Sequence, residues 1–335
     1  MTIVLLWGQP STKMPGGAEQ FTDLLQQAIP GLKVVYPAQQ TIPSWPLLSE
    51  PAKAFGAAQT LSEQLAVLRP EIVLYNGMFG WALPEKTPYT KIALCHGTFP
   101  SFARHALSWG LNRLRTQFIY ADFEKKSYAN ADYVVCNSAF TQKNLANDYG
   151  LSGKVIPLAT DTRRFHSVKN SRKKLGLPED KKIILFVGRP THDKGFDMVE
   201  RVAQNHPEWH VVAVTNPRGK SSHVDCRGPL PFDELTDYYA ACDVVFFPSR
   251  FESFGYVTIE ALAAKKPVVT TPFGIAPEIN HPACIVVNEF SADAFERALM
   301  KALSQKYSFD EKKRKYYDLP RFQKDYQQLI REVRS

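Results

Sequence analysis

Residues 247–271 read FPSRFESFGYVTIEALAAKKPVVTT, and this stretch decides the fold. The run that leads into it, DVVFFP at residues 243–248, is apolar, β-branched and aromatic and ends at a proline. Such a run is typical of a buried parallel strand that leads into a loop. The pattern becomes helical from about Gly255, and two lysines and a proline end that helix before the strand-like PVVTT. Glu252 is therefore predicted at the carboxyl edge of a parallel sheet, where open α/β folds bind ligands.

A second glutamate, Glu260, follows about one turn into the predicted helix, close enough to face the same crevice. Between the two glutamates, the first helical N–H groups have no intrahelical partner and suit a phosphate. The layout offers one carboxylate for sugar hydroxyls, amides for phosphate and a second carboxylate for a ribose. The spacing alone is also compatible with a plain strand–loop–helix unit whose glutamates are solvated.

The same stretch closely resembles the donor-site motif of the family 4 retaining glycosyltransferases, which have the GT-B fold. The resemblance implies a catalytic role for Glu252 and a donor-binding role for the whole segment. The segment comprises Glu252, Ser253, Phe254, Gly255, Tyr256, Val257 and Glu260.

A second motif, FVGRPTHDKGFD at residues 186–197, places Gly188 and Arg189 shortly before Lys194. A guanidinium and an ammonium five residues apart at a strand exit can clamp one diphosphate. They would stabilise the leaving nucleotide more strongly as its phosphoryl charge builds, which makes them catalytic. The alternative is a pair of surface cations. The spacing matches the G-R-x(4)-K-G pattern of the same family, and we predict all three residues in the donor site.

Three further candidates depend more heavily on the resemblance. Gly16 and Gly17 open a helix and are expected near the donor diphosphate, although an ordinary turn would look the same. His96 follows the strand-like KIALC, as does the active-site histidine of the family. We predict a positioning role for it beside the donor sugar and count it with the catalytic residues, against the alternative of a structural histidine. The family also places the nucleotide base near the segment that contains Arg227, Gly228 and Leu230.

The whole chain of 335 residues is long enough for two domains. Two successive sets of short apolar runs alternate with helical patterns, which predicts two Rossmann-like α/β domains with parallel sheets, facing each other across a cleft. We expect an acceptor domain at residues 1–162, a donor domain at residues 163–318, and a terminal helix at residues 319–335 that packs back on the first domain.

Composition describes a globular protein, and its formal net charge of +8 favours acidic partners. Five cysteines without C-x-x-C spacing, four of them in strand-like runs, indicate a reducing compartment, so we expect a cytoplasmic location. No apolar run approaches the length of a membrane span. A nucleic-acid partner is disfavoured because the basic residues are scattered and no recognised motif is present.

Aromatic and basic residues are frequent between Phe99 and Tyr133, including Trp109, Arg113 and Phe118. We favour a solvated amphipathic helix whose aromatic side chains join the core. A patch that binds the acceptor or an anionic membrane surface at the inner membrane face is the alternative.

Together these features predict a retaining, metal-independent hexosyltransferase that moves a sugar from a nucleotide-diphosphate sugar to a hydroxyl acceptor, either a glycan, a small sugar or a lipid-linked one. No separate cofactor and no metal are expected, because the cations and helix N–H groups would neutralise the diphosphate. A GT-B epimerase or hydrolase and a non-catalytic nucleotide-sugar-binding protein stay open as alternatives.

The chain departs from the family pattern at three points. Leu158-Ala159 replaces the usual Asn-Gly, and Ile275 replaces the second glycine of a Gly-Gly-x-Pro-Glu turn. Lys265 replaces a helix-ending glycine, and because a left-handed lysine costs about 1–2 kcal/mol, we expect that helix to end differently.

Overall fold

The computed structural model of the chain describes residues 2–8, 17–45, 48–165, 170–215, 221–228 and 230–334. The chain forms two compact units, one of Met1–Leu158 with Phe322–Ser335 and the other of Ala159–Arg321. Each unit contains one six-stranded sheet in which all paired strands are parallel. The predicted α/β class and parallel sheets are confirmed.

The first unit alternates strands and helices from β1 to β6. Its elements are β1 Ile3–Leu6, α1 Gly17–Ala28, β2 Lys33–Val35, α2 Ser49–Leu68, β3 Ile72–Asn76, β4 Thr90–Cys95, α3 Phe99–Ala106, α4 Leu111–Leu114, a π-helical segment Arg115–Tyr120, α5 Ala121–Ala129, β5 Tyr133–Cys136, α6 Ala139–Tyr149 and β6 Lys154–Val155. Short 3-10 turns lie at Gln39–Thr41 and Gly77–Gly80. The strand order is β2-β1-β3-β4-β5-β6.

The second unit repeats the alternation. Its elements are a 3-10 turn Thr162–Arg164, α7 Ser171–Leu175, β7 Lys182–Val187, a 3-10 turn His192–Lys194, α8 Phe196–Asn205, β8 Trp209–Val214, β9 Asp225–Arg227, α9 Phe232–Ala241, β10 Val244–Phe247, α10 Tyr256–Ala263, β11 Val268–Thr270, a 3-10 turn Ala276–Glu278, β12 Cys284–Val286, α11 Ala292–Ser304 and α12 Glu311–Tyr316. The strand order is β12-β11-β10-β7-β8-β9. The last helix, α13, runs from Leu319 to Arg334.

The short apolar runs that the sequence marks as strands form the strands of both sheets, and the central strands are covered on both faces. Every residue of β1 and of β10 is buried. Helices on both sides supply the covering side chains, as parallel sheets require. In the second sheet the strand order reverses between β7 and β10, and ligands of open α/β sheets bind outside the carboxyl ends of the strands at such a reversal.

The final helix belongs to the first unit from Phe322 onward. The ring of Phe322 lies edge-on to Phe21 of α1 at 6.2 Å between centroids, and Tyr326 is also buried. Gln323 donates a hydrogen bond to the carbonyl of Gln27 at 3.1 Å. The apolar side of α13, which carries Phe322 and Tyr326, is therefore part of the hydrophobic core of the first unit.

Helix α10 ends in a left-handed residue, as the helix-ending glycine of the family pattern implies, although that residue is Lys265. This lysine adopts φ +58°, the left-handed conformation, so the expectation that the helix ends differently was wrong. The N–H groups of Lys265 and Lys266 donate to the carbonyls of Leu262 and Ala261 at 3.1 and 2.9 Å. This is the Schellman pairing, and its two hydrogen bonds offset the strain of about 1–2 kcal/mol.

The other two departures from the family pattern lie in the core. Ile275 has an ordinary φ of −80° and is fully buried. Leu158 and Ala159 are also buried. A side chain is accommodated at each position because the backbone there does not need the freedom of glycine.

Among the described helices, none combines the length and the hydropathy that crossing a bilayer requires.

Candidate functional site

The exit loops of β7 and β10 meet where the strand order of the second sheet reverses. The loop after β7 carries Arg189 and Lys194, and the loop after β10 carries Glu252. Because β7 and β10 are hydrogen-bonded neighbours, their carboxyl ends open at the same point of the sheet edge. The two motifs that the sequence singles out are therefore brought together within one unit.

Lys194 and Glu252 form an ion pair across these loops. The ammonium Nζ of Lys194 lies 2.6 Å from Oε1 of Glu252. The hydroxyl of Ser249 donates to the same oxygen at 2.8 Å. Both side chains are largely buried, with exposures of 21% for Lys194 and 13% for Glu252. The carboxylate is thus held in one orientation by a cation and a hydroxyl.

Arg189 is the more open of the two cations. Its side chain is 63% exposed, and its guanidinium donates to Asp193 at 3.2 Å. The carbonyl of Asp193 in turn accepts from the N–H of Arg250 at 2.8 Å and lies 3.2 Å from the Ser249 hydroxyl oxygen. These bonds tie the β7 exit loop to the β10 exit loop, so the cations and Glu252 keep a fixed spacing.

Two glycines allow the loops to approach this closely. Gly195 has φ +70°, and a Cβ there would lie 1.9 Å from the carbonyl oxygen of Pro248. Gly274, after β11, has φ +61°, and a Cβ there would lie 2.3 Å from the carbonyl oxygen of Phe254. Only glycine fits both the left-handed backbone and the contact.

The start of α10 follows directly on Glu252. Gly255 caps the helix with φ +88°. The side chains of Phe254 and Val257 are buried, whereas Ser253 and Tyr256 are half-buried. Phe254 and Val257 could therefore reach a donor through their backbone groups, in keeping with the amide role predicted for this turn.

Glu260, which was expected to face a crevice, is almost fully buried. Its side chain is 3% exposed, and Oε2 accepts a hydrogen bond of 2.8 Å from the hydroxyl of Tyr239 on α9. Burial raises the pKa of Tyr239, which keeps its hydroxyl protonated as a donor. The ribose-binding role of Glu260 stays a prediction.

The segment predicted near the nucleotide base lies at the end of β9. Arg227 donates to Asp225 at 2.6 Å, and this carboxylate also lies 3.1 Å from Nε2 of His210. Gly228 and Leu230 follow and are half-buried. Their base-binding role stays a prediction.

His96 lies in the first unit, at the exit of β4. Its ring packs edge-on against Phe21 at 4.4 Å and Trp7 at 5.8 Å. Burial lowers the pKa of His96 to about 4, so the imidazole is neutral near pH 7. Within the described ranges, Nε2 is buried and has no hydrogen-bond partner. A neutral ring with one nitrogen that lacks a hydrogen-bond partner among the described residues suits the predicted positioning role. Gly17 begins α1 and is exposed, and Gly16 lies outside the described residues.

A buried carboxyl group, which the sequence analysis missed, lies near the same strand exit. Glu124 of α5 accepts hydrogen bonds from the N–H of Phe99 at 2.8 Å and from the Tyr149 hydroxyl at 2.6 Å. The hydroxyl of Tyr128 lies 3.4 Å from this carboxyl group and 3.2 Å from the carbonyl of Gly97, and its single proton can be donated to either. Burial raises the pKa of Glu124 to about 7. Its sequence neighbourhood, ADFEKKSYA, looks like an exposed charged helix, so no local signal marks it.

We expect Glu124→Gln to change the pH dependence of stability. The folded protein holds this proton up to about pH 7, whereas the unfolded chain releases it near the ordinary pKa of 4.5. The stability that this group contributes is therefore complete below pH 4.5 and is lost as pH rises through 7. The free energy of unfolding of the wild type should fall relative to that of the variant, by up to about 3 kcal/mol.

Urea unfolding of both proteins at pH values on either side of that window measures the difference. Glu63→Gln is the control, since Glu63 is an exposed residue of the same unit. A gap between wild type and Glu124→Gln that stays constant with pH would contradict the assignment.

Ser249 was also missed, although a signal was available. The spacing S-x-x-E between Ser249 and Glu252 is the one at which a serine hydroxyl and a glutamate can share local hydrogen bonds.

The strand order, the paired motifs and the helix start at a strand-order reversal define an α/β protein of the GT-B class. Comparison with solved structures agrees. A sucrose-phosphate synthase from Thermosynechococcus elongatus is superimposable with a TM-score of 0.81 at 20% identity, over 99% of this chain and 98% of that one. The Anabaena protein Alr3699/HepE in complex with UDP-glucose gives a TM-score of 0.77 at 18% identity, over 99% of this chain and all of that one.

The chain belongs to the family 4, group 1 glycosyltransferases. The model of Glycosyltransferase Family 4 matches residues 16–164, and that of Glycosyl transferases group 1 matches residues 167–318. A D-inositol 3-phosphate glycosyltransferase of Corynebacterium jeikeium is 30% identical over 253 residues, which are 64% of this chain and 60% of that protein. A second, from Acidothermus cellulolyticus, is 32% identical over 44% of this chain and 39% of that protein. The matches thus span about half the length of these curated relatives.

Proposed function

We propose that this protein is a retaining, metal-independent glycosyltransferase that moves a sugar from a nucleotide-diphosphate sugar to a hydroxyl acceptor. The observation that carries the proposal is the meeting of Lys194, Arg189 and Glu252 at the strand-order reversal, beside the first turn of α10. Two cations and a helix start lie together at this point, which supports a diphosphate site there, and the neighbouring carboxylate supports binding of the attached sugar. The complex of Alr3699/HepE with UDP-glucose, a protein of the same fold, supports the donor class.

In this proposal the cations neutralise the charge that develops on the departing nucleotide diphosphate. The side chain of Arg189 is mostly exposed, so its guanidinium can exchange the contact with Asp193 for one with the phosphates. Lys194 must exchange its contact with Glu252 for one with phosphate, or bridge both groups. Glu252 orients the sugar hydroxyls, and its negative charge stabilises the oxocarbenium-like centre of the transition state. The donor and acceptor sugars fill the role of substrates, and no further cofactor takes part.

The direct test is a screen of UDP-, GDP- and ADP-sugars for thermal stabilisation and for nucleotide release with and without candidate acceptors. A bound donor at 100-fold its Kd stabilises the folded protein by about 2.7 kcal/mol. An acceptor-dependent rate supports transfer. Nucleotide release that no acceptor accelerates favours a hydrolase, and stabilisation without release favours a binding protein.

Lys194→Ala should weaken nucleotide binding. A charge-assisted hydrogen bond contributes about 1.5–3 kcal/mol, so the Kd of whichever of UDP, GDP or ADP binds should rise about tenfold to a hundredfold. Isothermal titration with the free nucleotide measures it. Lys174→Ala is the matched control, because Lys174 forms an ion pair of 2.6 Å with Asp237 in the same unit but outside the site. An unchanged Kd in Lys194→Ala would remove this lysine from the clamp.

A further inference from the structure

The first unit carries a surface of large apolar side chains that the core does not take up. These side chains extend from the loop after α3 to the end of the π-helical segment, and we name them the α4 patch. Its members are Trp109, Leu111, Leu114, Phe118 and Ile119, with exposures of 80%, 86%, 41%, 63% and 45%. The expectation that the aromatic residues of this stretch join the core was right for Tyr120, which is buried, and wrong for Trp109 and Phe118.

The patch faces away from the core along one continuous helical stretch. Leu111, Leu114 and Phe118 are three and four residues apart, which places them on one side. Thr116 and Tyr120, on the other side, are buried. The outward face of a surface helix is normally polar, and an exposed apolar face of this kind marks an interaction site.

Positive charge surrounds the patch. Between Phe99 and Ala121 the chain has three arginines and no carboxylate. The guanidinium of Arg113 lies over the ring of Trp109 at 4.5 Å, and that of Arg115 lies over Tyr120 at 5.1 Å. Arg104 is paired with Asp148 of α6. Arg113 and Arg115 donate hydrogen bonds to the carbonyl of Leu107 and to Asn112 at 3.3 and 2.7 Å, and neither has a carboxylate partner among the described residues. Apolar side chains beside such arginines match the boundary between lipid headgroups and acyl chains.

We propose that the α4 patch docks on an anionic lipid surface. Leu111, Leu114, Phe118 and Trp109 would enter the interface, and Arg113 and Arg115 would contact lipid phosphates. A second copy of the chain is the less suitable occupant. In a symmetric dimer the same surface meets itself, which would bring Arg113 and Arg115 against their own copies, while the exposed carboxylate that follows the patch, Asp122, is already paired with Lys126 at 2.7 Å. Docking of this surface does not depend on the proposed sugar transfer.

Flotation of the full chain with vesicles tests this docking. We expect binding to vesicles of phosphatidylcholine and phosphatidylglycerol in a two-to-one ratio, weak binding to phosphatidylcholine alone, and a decline with salt. Trp109→Ser with Phe118→Ser should lower the partition coefficient at least tenfold, because two interfacial aromatic side chains are lost. Arg113→Gln with Arg115→Gln should lower it about tenfold to thirtyfold on the anionic vesicles.

Matched controls separate docking from general surface effects. Val67→Ser with Met300→Ser removes two exposed apolar side chains elsewhere, and Arg201→Gln with Arg297→Gln removes the same charge from exposed helical positions. Neither should change the partition. Circular dichroism and thermal unfolding verify that each variant is folded. Vesicle binding that is equal for folded patch variants and controls would overturn the proposal. So would sedimentation that shows a dimer, abolished by the patch variants, together with absence of vesicle binding.

Discussion

Glu252→Gln is expected to lower kcat about a hundredfold to a thousandfold while the affinity for the free nucleotide stays the same or increases. The size of the effect is that of removing one preorganised electrostatic contact from a transition state. In our proposal the carboxylate acts on positive charge that develops only at the sugar, so its loss affects turnover rather than ground-state binding.

The nucleotide affinity should not fall because Glu252 holds Lys194 in the unliganded protein. The two groups are 2.6 Å apart, and a diphosphate must compete with this carboxylate for the ammonium. Glutamine leaves the volume of the side chain in place and removes the competing charge. The lysine is then free for phosphate.

Rates of nucleotide release from the donor found in the screen give kcat, and titration with the free nucleotide gives Kd. Asp237→Asn is the control, since Asp237 also pairs with a lysine at 2.6 Å in the same unit. Equal losses of turnover and of donor affinity in Glu252→Gln would refute a role in the transition state. A kcat close to that of the control would remove Glu252 from the catalytic residues.

Gly195→Ala is expected to destabilise the second unit by about 2–5 kcal/mol. The left-handed backbone at φ +70° costs an alanine about 1–2 kcal/mol, and forcing its methyl group against the backbone of Pro248 adds about 1–3 kcal/mol. In a unit of this size, each kcal/mol lowers Tm by about 2–4 °C. The substitution also pushes apart the loops that bring Lys194 to Glu252.

Gly176→Ala separates the two contributions. Gly176 has φ +65° in the same unit, and no atom lies within 4 Å of the position that a Cβ would occupy. Its substitution should show only the backbone strain. Thermal and urea unfolding of both variants give the difference, and destabilisation of equal size would show that the contact with Pro248 does not limit the site.

Much of this architecture follows from local pattern. Runs such as KIILFV at residues 182–187 are continuous in apolar residues because both faces of a parallel sheet are covered, and each such run became a strand. The start of α6 also follows from local chemistry, because serine is a preferred N-cap residue and the side chain of Ser138 accepts from the N–H of Thr141 at 3.0 Å. The two donor-site motifs could be found because each combines charged residues at a fixed spacing with a position directly after a predicted strand.

The remaining features depend on contacts between distant segments. The ion pair between Glu252 and Lys194 joins residues 58 positions apart. Neither motif by itself predicts that these two side chains pair with each other in the unliganded protein. The buried carboxyl group of Glu124 has its hydrogen-bond partners at Phe99 and Tyr149, each 25 positions away in the chain. Phe118 is exposed on the side of its helical stretch opposite to Thr116 and Tyr120, which are buried, and Trp109 is exposed in the loop before α4. The spacing of apolar residues in the sequence predicts which residues share one side of a helix. Where both sides carry apolar residues, the spacing does not predict which side is buried.

The placement of α13 has a consequence for biosynthesis. Phe322 and Tyr326 pack in the core of the first unit, so that core receives its last side chains only after the second unit has left the ribosome. Phe21 would wait, exposed to solvent, while about 300 more residues are made, which at 5–20 residues per second takes on the order of half a minute. During that interval the apolar surface that Phe322 and Tyr326 will cover stays exposed on the nascent first unit, where chaperones can bind it. Any attempt to produce it in isolation would need residues 322–334 joined to it or supplied as a separate peptide.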